Sequence, residues 1–249
     1  MKRYPIDTII GLFITYLFFM AIFFGAKAMV GKDIPLNFGD TARGIIIGYL
    51  MWLFATSGIQ DMSNDISEET LTGTIEQVYL CPMGPILLLL SRTLAALLST
   101  IIFLPIIFYI LQLSTGIYLE LKLSSTLPIL IFTFIGLCGF GFILAGMTLI
   151  FKRIDLLLLL MPILLLVLAM IPIETLSHEL QVLAGFFPLS QGIKLARLIL
   201  LEEQGFLTLL KNGEVLVLVL NSICYFLVGV WGYKIADKIA RDKGLLGHY

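Results

Sequence analysis

Residues 63–82, SNDISEETLTGTIEQVYLCP, place four carboxylates (Asp65, Glu68, Glu69, Glu76), a run of threonines and a glycine inside an otherwise oily chain. No Lys or Arg occurs from residue 44 to residue 91. The chemistry such a segment could perform is limited by what surrounds it. An intramembrane enzyme would need a histidine cluster for a metal or a G-x-S-x-G elbow, and the sequence has neither. His178 and His248 cannot build a metal cluster alone, and Cys81, Cys138 and Cys224 are scattered, odd in number and without a C-x-x-C. No G-x-x-x-x-G-K-[ST] occurs, so no P-loop is present to cradle phosphates. What remains is recognition: a carboxylate-rich surface suits a basic protein groove, or is a solvated loop resting on headgroups. An anionic inner leaflet favours bases rather than acids.

The elements that must hold this segment are membrane helices. Of 249 residues, 59% are hydrophobic and 13% charged, and mean hydropathy is +1.03. Soluble domains average about 45–50% apolar and about 25% charged, so the solvent of this chain is lipid. A net charge of −1 argues against nucleic acid as a partner. Six apolar runs of spanning length occur at residues 9–29, 42–59, 85–113, 127–151, 155–173 and 214–237, within one transmembrane domain over 1–249. They are continuous rather than alternating, which predicts an all-α polytopic protein and not a barrel. The third run is long and contains Pro105, so it is expected to tilt, kink or project past the membrane. Lys2 and Arg3 before an apolar run, with A-K-A at 26–28, imitate a cleaved signal peptide. The run is long for an h-region of roughly 7–15 residues and Lys27 falls inside the cleavage motif, so it is read as a true span.

With both termini cytoplasmic, nine bases fall on the inner side and seven on the outer. The short F-K-R-I-D hairpin at 151–155 and the basic C-terminal tail carry most of that preference. The acidic segment then lies inside. Within it, Asp65 is placed to cap a short helix with Glu68 completing a capping box, and Gly73 sits where that helix could end. Thr74-x-x-Gln77 offers a second box, and Leu71, Ile75, Val78 and Tyr79 share one face. Pro82 and Pro85 stop the helix before span three. On the outer side, Leu189, Ile193, Ala196, Leu200 and Leu201 recur at helical spacing, predicting short amphipathic helices at or dipping into the interface before span six.

Small residues mark helix contacts: the G-x-x-x-G of Gly44 and Gly48, and the cluster Gly136, Gly139, Gly141, Ala145 and Gly146. Such faces serve packing within a subunit or between two. Ionisable groups are nearly absent from the span centres. Lys27, Asp61, Arg92, Asp155, Lys234 and Asp237 lie near ends, where long side chains snorkel, and no buried carboxylate of a proton-driven carrier is evident. The Phe-rich first span (Phe13, Phe18, Phe19, Phe23, Phe24) faces lipid or lines an apolar path.

The segment EETLTGTIEQVYLCPM resembles the connection between spans two and three of ABC-2 type permeases, with Glu69, Gly73, Thr74, Glu76 and Pro82 at matching places and the acid Glu68 alongside. FFPLSQGIKLARLILL is similar to the family's outer re-entrant pattern before the last span, through Pro188 and Arg197. The resemblance implies a coupling helix docking on a cytoplasmic ABC ATPase subunit, with ATP and Mg held by that subunit and no cofactor on this chain. As an exporter subunit in the cell membrane, six helices are few for a closed pathway, which predicts a homodimer of twelve, and the aromatic walls offered by the F-F-P at 186–188 and the Phe-rich first span favour a hydrophobic or lipid-like substrate. Only about eight residues precede span one, so the contact made by the longer amphipathic N-terminal helix of many relatives is expected to be reduced or absent. A haem-exporter-type permease and a non-transporting scaffold for an ATPase share this plan.

Overall fold

The computed structural model describes residues 5–30, 38–72, 74–151, 154–171 and 177–243. Every regular element among them is a helix: α1 (Pro5–Val30), α2 (Phe38–Leu71), α3 (Ile75–Leu80), α4 (Gly84–Thr115), α5 (Leu123–Ile150), α6 (Asp155–Met170), α7 (His178–Gly185), α8 (Pro188–Leu200), α9 (Phe206–Lys211) and α10 (Glu214–Asp242). Five are long and apolar enough to cross a bilayer, over Ile9–Ala28, Thr41–Thr70, Gly84–Thr115, Leu123–Ile150 and Glu214–Asp242. The expected span at 155–173 is shorter. Helix α6 has 16 residues, about 24 Å of rise against a hydrocarbon core of about 30 Å.

Helix α2 departs most from expectation. Its apolar span does not stop at residue 59: 34 residues run unbroken from Phe38 to Leu71, about 51 Å. Ile59, Met62, Ile66 and Thr70 recur at three- and four-residue intervals and are all buried, and no Gly or Pro interrupts residues 60–71. The packed stripe carries the helix through its acids. Asp65 is therefore an interior residue of α2, not the cap of a new helix.

Helix α5 forms the centre, packed on α10, α2 and α8. Its small residues make this possible. A Cβ on Gly139 would run into the Tyr225 carbonyl of α10, and one on Gly229 would meet the Gly139 carbonyl. Gly141 sits so close to α2 that a Cβ would lie 2.9 Å from the Gly58 carbonyl, and at Gly136 it would lie 2.7 Å from the Pro188 ring. Gly48 abuts the Ala169 carbonyl of α6, whereas no described residue lies within 4 Å of a Cβ at Gly44. Among the described residues the G-x-x-x-G pair thus makes one close contact, not two.

The Phe-rich first span divides. Phe19 and Phe23 are buried, while Phe13, Phe18 and Phe24 are exposed. Phe19 meets the Tyr49 ring at 5.1 Å, and Tyr49 Oη donates to the Thr15 carbonyl at 2.6 Å. In α6, Pro162 has no N–H to give the Leu158 carbonyl one turn back. Gln60 Nε2 of α2 donates to that carbonyl at 3.2 Å, and Trp52 Nε1 donates to the Pro162 carbonyl at 2.7 Å. Bonds of this kind let a proline sit in a helix that has no water to turn to.

Candidate functional site

The acidic bend is built around one carboxylate. Asp65 and Glu69 lie one turn apart on α2. Arg92, from α4, donates from Nη2 to Glu69 Oε1 at 2.9 Å and reaches Asp65 Oδ2 at 3.4 Å. The other Glu69 oxygen accepts a hydrogen bond from Thr74 Oγ1. The Glu69 carbonyl takes the Thr74 N–H at 2.9 Å, and the Glu68 carbonyl takes the Thr72 hydroxyl at 2.8 Å. These bonds close the last turn of α2, whose carbonyls would otherwise lack donors. One side chain thus ties the end of α2, the start of α3 and the third turn of α4. Asp65, Glu68, Glu69, Thr72, Thr74 and Arg92 enclose a polar cleft of about 190 Å³.

Thr74 holds the N-cap position of α3, but it makes no side-chain cap hydrogen bond; its hydroxyl turns back to Glu69 instead. Gly73 lies outside the described residues. Glu76 lies on α3 with its side chain outside them, as do the side chains of Leu71 and Ile75 from the expected apolar stripe. Pro82 is exposed in the turn before α4. That turn closes through the Gly84 N–H to the Cys81 carbonyl at 3.0 Å, with Gly84 at φ +74°, where a side chain would be strained.

At six residues, α3 is far below the length that holds a helix in isolation. Packing secures it. Val78 is buried, and the Arg241 guanidinium of α10 lies 4.8 Å from the centre of the Tyr79 ring. Arg241 is itself clamped by Asp237, at 2.8 and 3.2 Å. Burial, with Tyr233 and Asp237 adding to it, holds the Tyr79 phenol well above its ordinary range, so it stays neutral beside this ion pair. Part of the bend is open: Glu68 and Thr72 are exposed along the polar cleft, and Leu80 is 82% exposed with Met83 beside it. Among the described residues no group of His, Cys, Asp and Glu is arranged to hold a metal ion.

At the other end of the bundle, α8 lies inside the protein rather than on the interface. Leu189, Ile193 and Ala196 are buried, against α5 and α2. Pro188 opens the helix and rests on Gly136. The preceding turn is fixed by Asn221 Nδ2, which donates to the Phe186 carbonyl at 2.8 Å, and by the Phe187 ring, 5.3 Å from that of Phe140. Arg197 Nη2 donates at 3.2 Å to the Ala169 carbonyl in the last turn of α6, a C-terminal position that welcomes a cation.

A family model of ABC-2 family transporter proteins matches residues 32–231, a range holding the bend, the buried α8 and most of α10. The chain belongs to the ABC-2 transporter family. No curated protein and no solved structure matches it. An ABC-2 permease is a membrane subunit for transport, of a kind that generally pairs with an ABC ATPase subunit, and this one is a multi-pass membrane protein. Helix α1 precedes the matched range, and Arg241 lies beyond it.

Two residues of the permease's bend escape a reading of the acidic segment. Arg92 reads as a snorkelling base at a span end, yet it neutralises two of the acids. It is the first base after the base-free run, a weak signal that it answers those carboxylates. Arg241 reads only as part of a basic tail, and its meeting with Tyr79 depends on how α10 packs.

Proposed function

We propose that this chain is the permease subunit of an ATP-binding-cassette exporter, working as a homodimer with two ATPase subunits, and that the ATPase engages the bend between α2 and α4. The observation that carries this reading is that some side chains tie the bend down while others stay uncovered. Glu69, Thr74, Arg92, Val78 and Tyr79 bind it to the bundle, leaving Glu68 and the apolar tip at residues 80–83 uncovered. A tip this apolar is expected to meet a protein groove, and Glu68 would meet a base at its rim. The bond from Glu69 to Arg92 gives a push on the bend a stiff route into α4, and the Tyr79–Arg241 contact gives it a second route into α10. Both termini are cytoplasmic in this reading, which the basic C-terminal end of α10 beside the bend supports.

The substrate is hydrophobic or lipid-like. A cavity of about 250 Å³ between α1, α2 and α4 supports this. Its walls are Leu12, Leu53, Phe103, Leu104 and Ile107, and Thr15, Ser99 and Thr100 line its polar part. Each of those hydroxyls already donates to its own helix, leaving lone pairs for a substrate donor.

The test is purification with the ATPase that accompanies the chain, then ATP hydrolysis in proteoliposomes. Leu80→Asp with Glu68→Lys should release the ATPase or abolish permease-dependent hydrolysis. Normal assembly and turnover by that variant would contradict the reading.

A further inference from the structure

Helix α10 presents one exposed face along its whole length. Leu216, Leu220, Ile223 and Leu227 are exposed on it, and Trp231 follows at 66% exposure. Lys234 and Lys238 continue the same three- and four-residue spacing and are also exposed. The face therefore changes from aliphatic to indole to ammonium along a single line. That order matches the depth profile of a bilayer, where Trp gathers at the interface and bases lie among headgroups. Length agrees: twenty residues from Glu214 cover about 30 Å of hydrocarbon and end at Tyr233, so Lys234 is the first residue past the core.

Neither lysine has an ion-pair partner among the described residues. Asp237, between them in sequence, is taken by Arg241 at 2.8 Å. Asp242 lies one turn beyond Lys238. Residues 234–243 carry four bases and two acids, so the end of this face is net positive. The two ammonium groups stand one turn apart, about 6 Å of rise.

We infer that Trp231, Lys234 and Lys238 form a binding site for the headgroup of an anionic phospholipid. The phosphate sits between the two ammonium groups, Trp231 packs at the glycerol level, and the acyl chains run down the aliphatic face below. A zwitterionic lipid offers the same chains and indole contact but no net charge to the lysines. The inference rests on the geometry of α10 and not on the transport reading.

The sequence holds two tryptophans, so Trp52→Phe leaves Trp231 as the single indole fluorophore of the full chain. The purified chain is reconstituted in phosphatidylcholine vesicles containing graded amounts of either brominated phosphatidylglycerol or brominated phosphatidylcholine, and Trp231 quenching is followed. A base near an anionic surface contributes about 1 kcal/mol, a factor of about five. Brominated phosphatidylglycerol should therefore be preferred by about fivefold or more. The preference should weaken as salt rises from 0.1 M to 1 M and the screening length falls from about 10 Å to about 3 Å. Lys234→Gln with Lys238→Gln should bring the preference close to one. If Trp52→Phe impairs folding, the difference between the unaltered chain and Trp231→Phe gives the same reading. Equal quenching by the two lipids, a preference that survives the double substitution, or a Trp231 reached by neither lipid would each overturn the inference. The last result would place this face against protein.

Discussion

Arg92 and Glu69 stand 23 residues apart in sequence and meet through a 2.9 Å hydrogen bond from Nη2 to Oε1. The carboxylate that the sequence alone would aim at a partner is thus engaged within the bundle. What the bend offers outward is Glu68 and the apolar tip. The pair is only part-buried. A solvent-exposed ion pair contributes about 0.2–1 kcal/mol, whereas a hydrogen bond to a charged group contributes about 1.5–3 kcal/mol.

Arg92→Ala should lower the melting temperature of the purified chain and cut permease-dependent ATP hydrolysis several-fold, with a stability loss of about 1–3 kcal/mol. Glu69→Gln, which keeps one acceptor for Thr74 or Arg92, should cost less than Glu69→Lys. Exchanging the charges, Glu69→Arg with Arg92→Glu, should recover part of the Arg92→Ala loss. Additive losses in the exchange variant would mean that the two side chains act separately.

Tyr79 and Arg241 form the second attachment of α3. Tyr79→Phe keeps the ring under the guanidinium and should be silent. Tyr79→Ala and Arg241→Ala remove a cation–π contact of about 0.5–2 kcal/mol. Each should reduce transport-coupled hydrolysis while leaving the ATPase bound, because neither touches the open part of the bend. Unchanged coupling in Arg241→Ala would assign the contact to local packing alone.

Gly139 tests the centre of the bundle. Gly139→Ala must push α10 away from α5, an overpacking cost of about 1–3 kcal/mol, and Gly139→Leu should prevent recovery of folded protein. Gly11→Ala and Gly44→Ala, where no described residue stands within 4 Å of the added carbon, should leave the melting temperature nearly unchanged. Thermal unfolding of the three alanine variants in one detergent, with the yield of folded Gly139→Leu protein, makes the comparison.

Gln60 and Pro162 should behave as a coupled pair. Gln60→Leu leaves the Leu158 carbonyl without a donor and should cost about 1–3 kcal/mol. In a Pro162→Ala background the backbone N–H of residue 162 can take that carbonyl, so the same Gln60→Leu change should cost less by about 1 kcal/mol. A double-mutant cycle on unfolding free energies measures the difference, and strict additivity would contradict the account.

The long apolar helices were legible because a continuous oily run of twenty residues has few other solutions. The continuation of α2 was not. Asp65 followed by Glu68 imitates a capping box, and the buried stripe from Ile59 to Thr70 that overrides it is sparse and partly polar. The periodicity of α8 showed an amphipathic helix but not its depth, since Leu189 and Ile193 look alike whether they face lipid tails or α5. Likewise the small-residue cluster of α5 was visible, while its partners Gly58, Gly229 and Pro188 are fixed by tertiary packing. Within the bend, the position of Thr74 followed from local pattern. The partners of Glu69 and Tyr79 did not, because Arg92 and Arg241 reach them from other helices.

The central claim is that a separate ATPase bears on the tip of the bend. Photo-crosslinking from a benzoylphenylalanine at Leu80, compared with one at Tyr118, tests it most directly. Both sites are exposed, at 82% and 74%, and Tyr118 lies in the α4–α5 connection at the far end of α4. In membranes containing the assembled complex, Leu80 should give an adduct with the ATPase and Tyr118 should give none. An ATPase adduct at Tyr118, or an intact complex with no adduct at Leu80, would contradict the account.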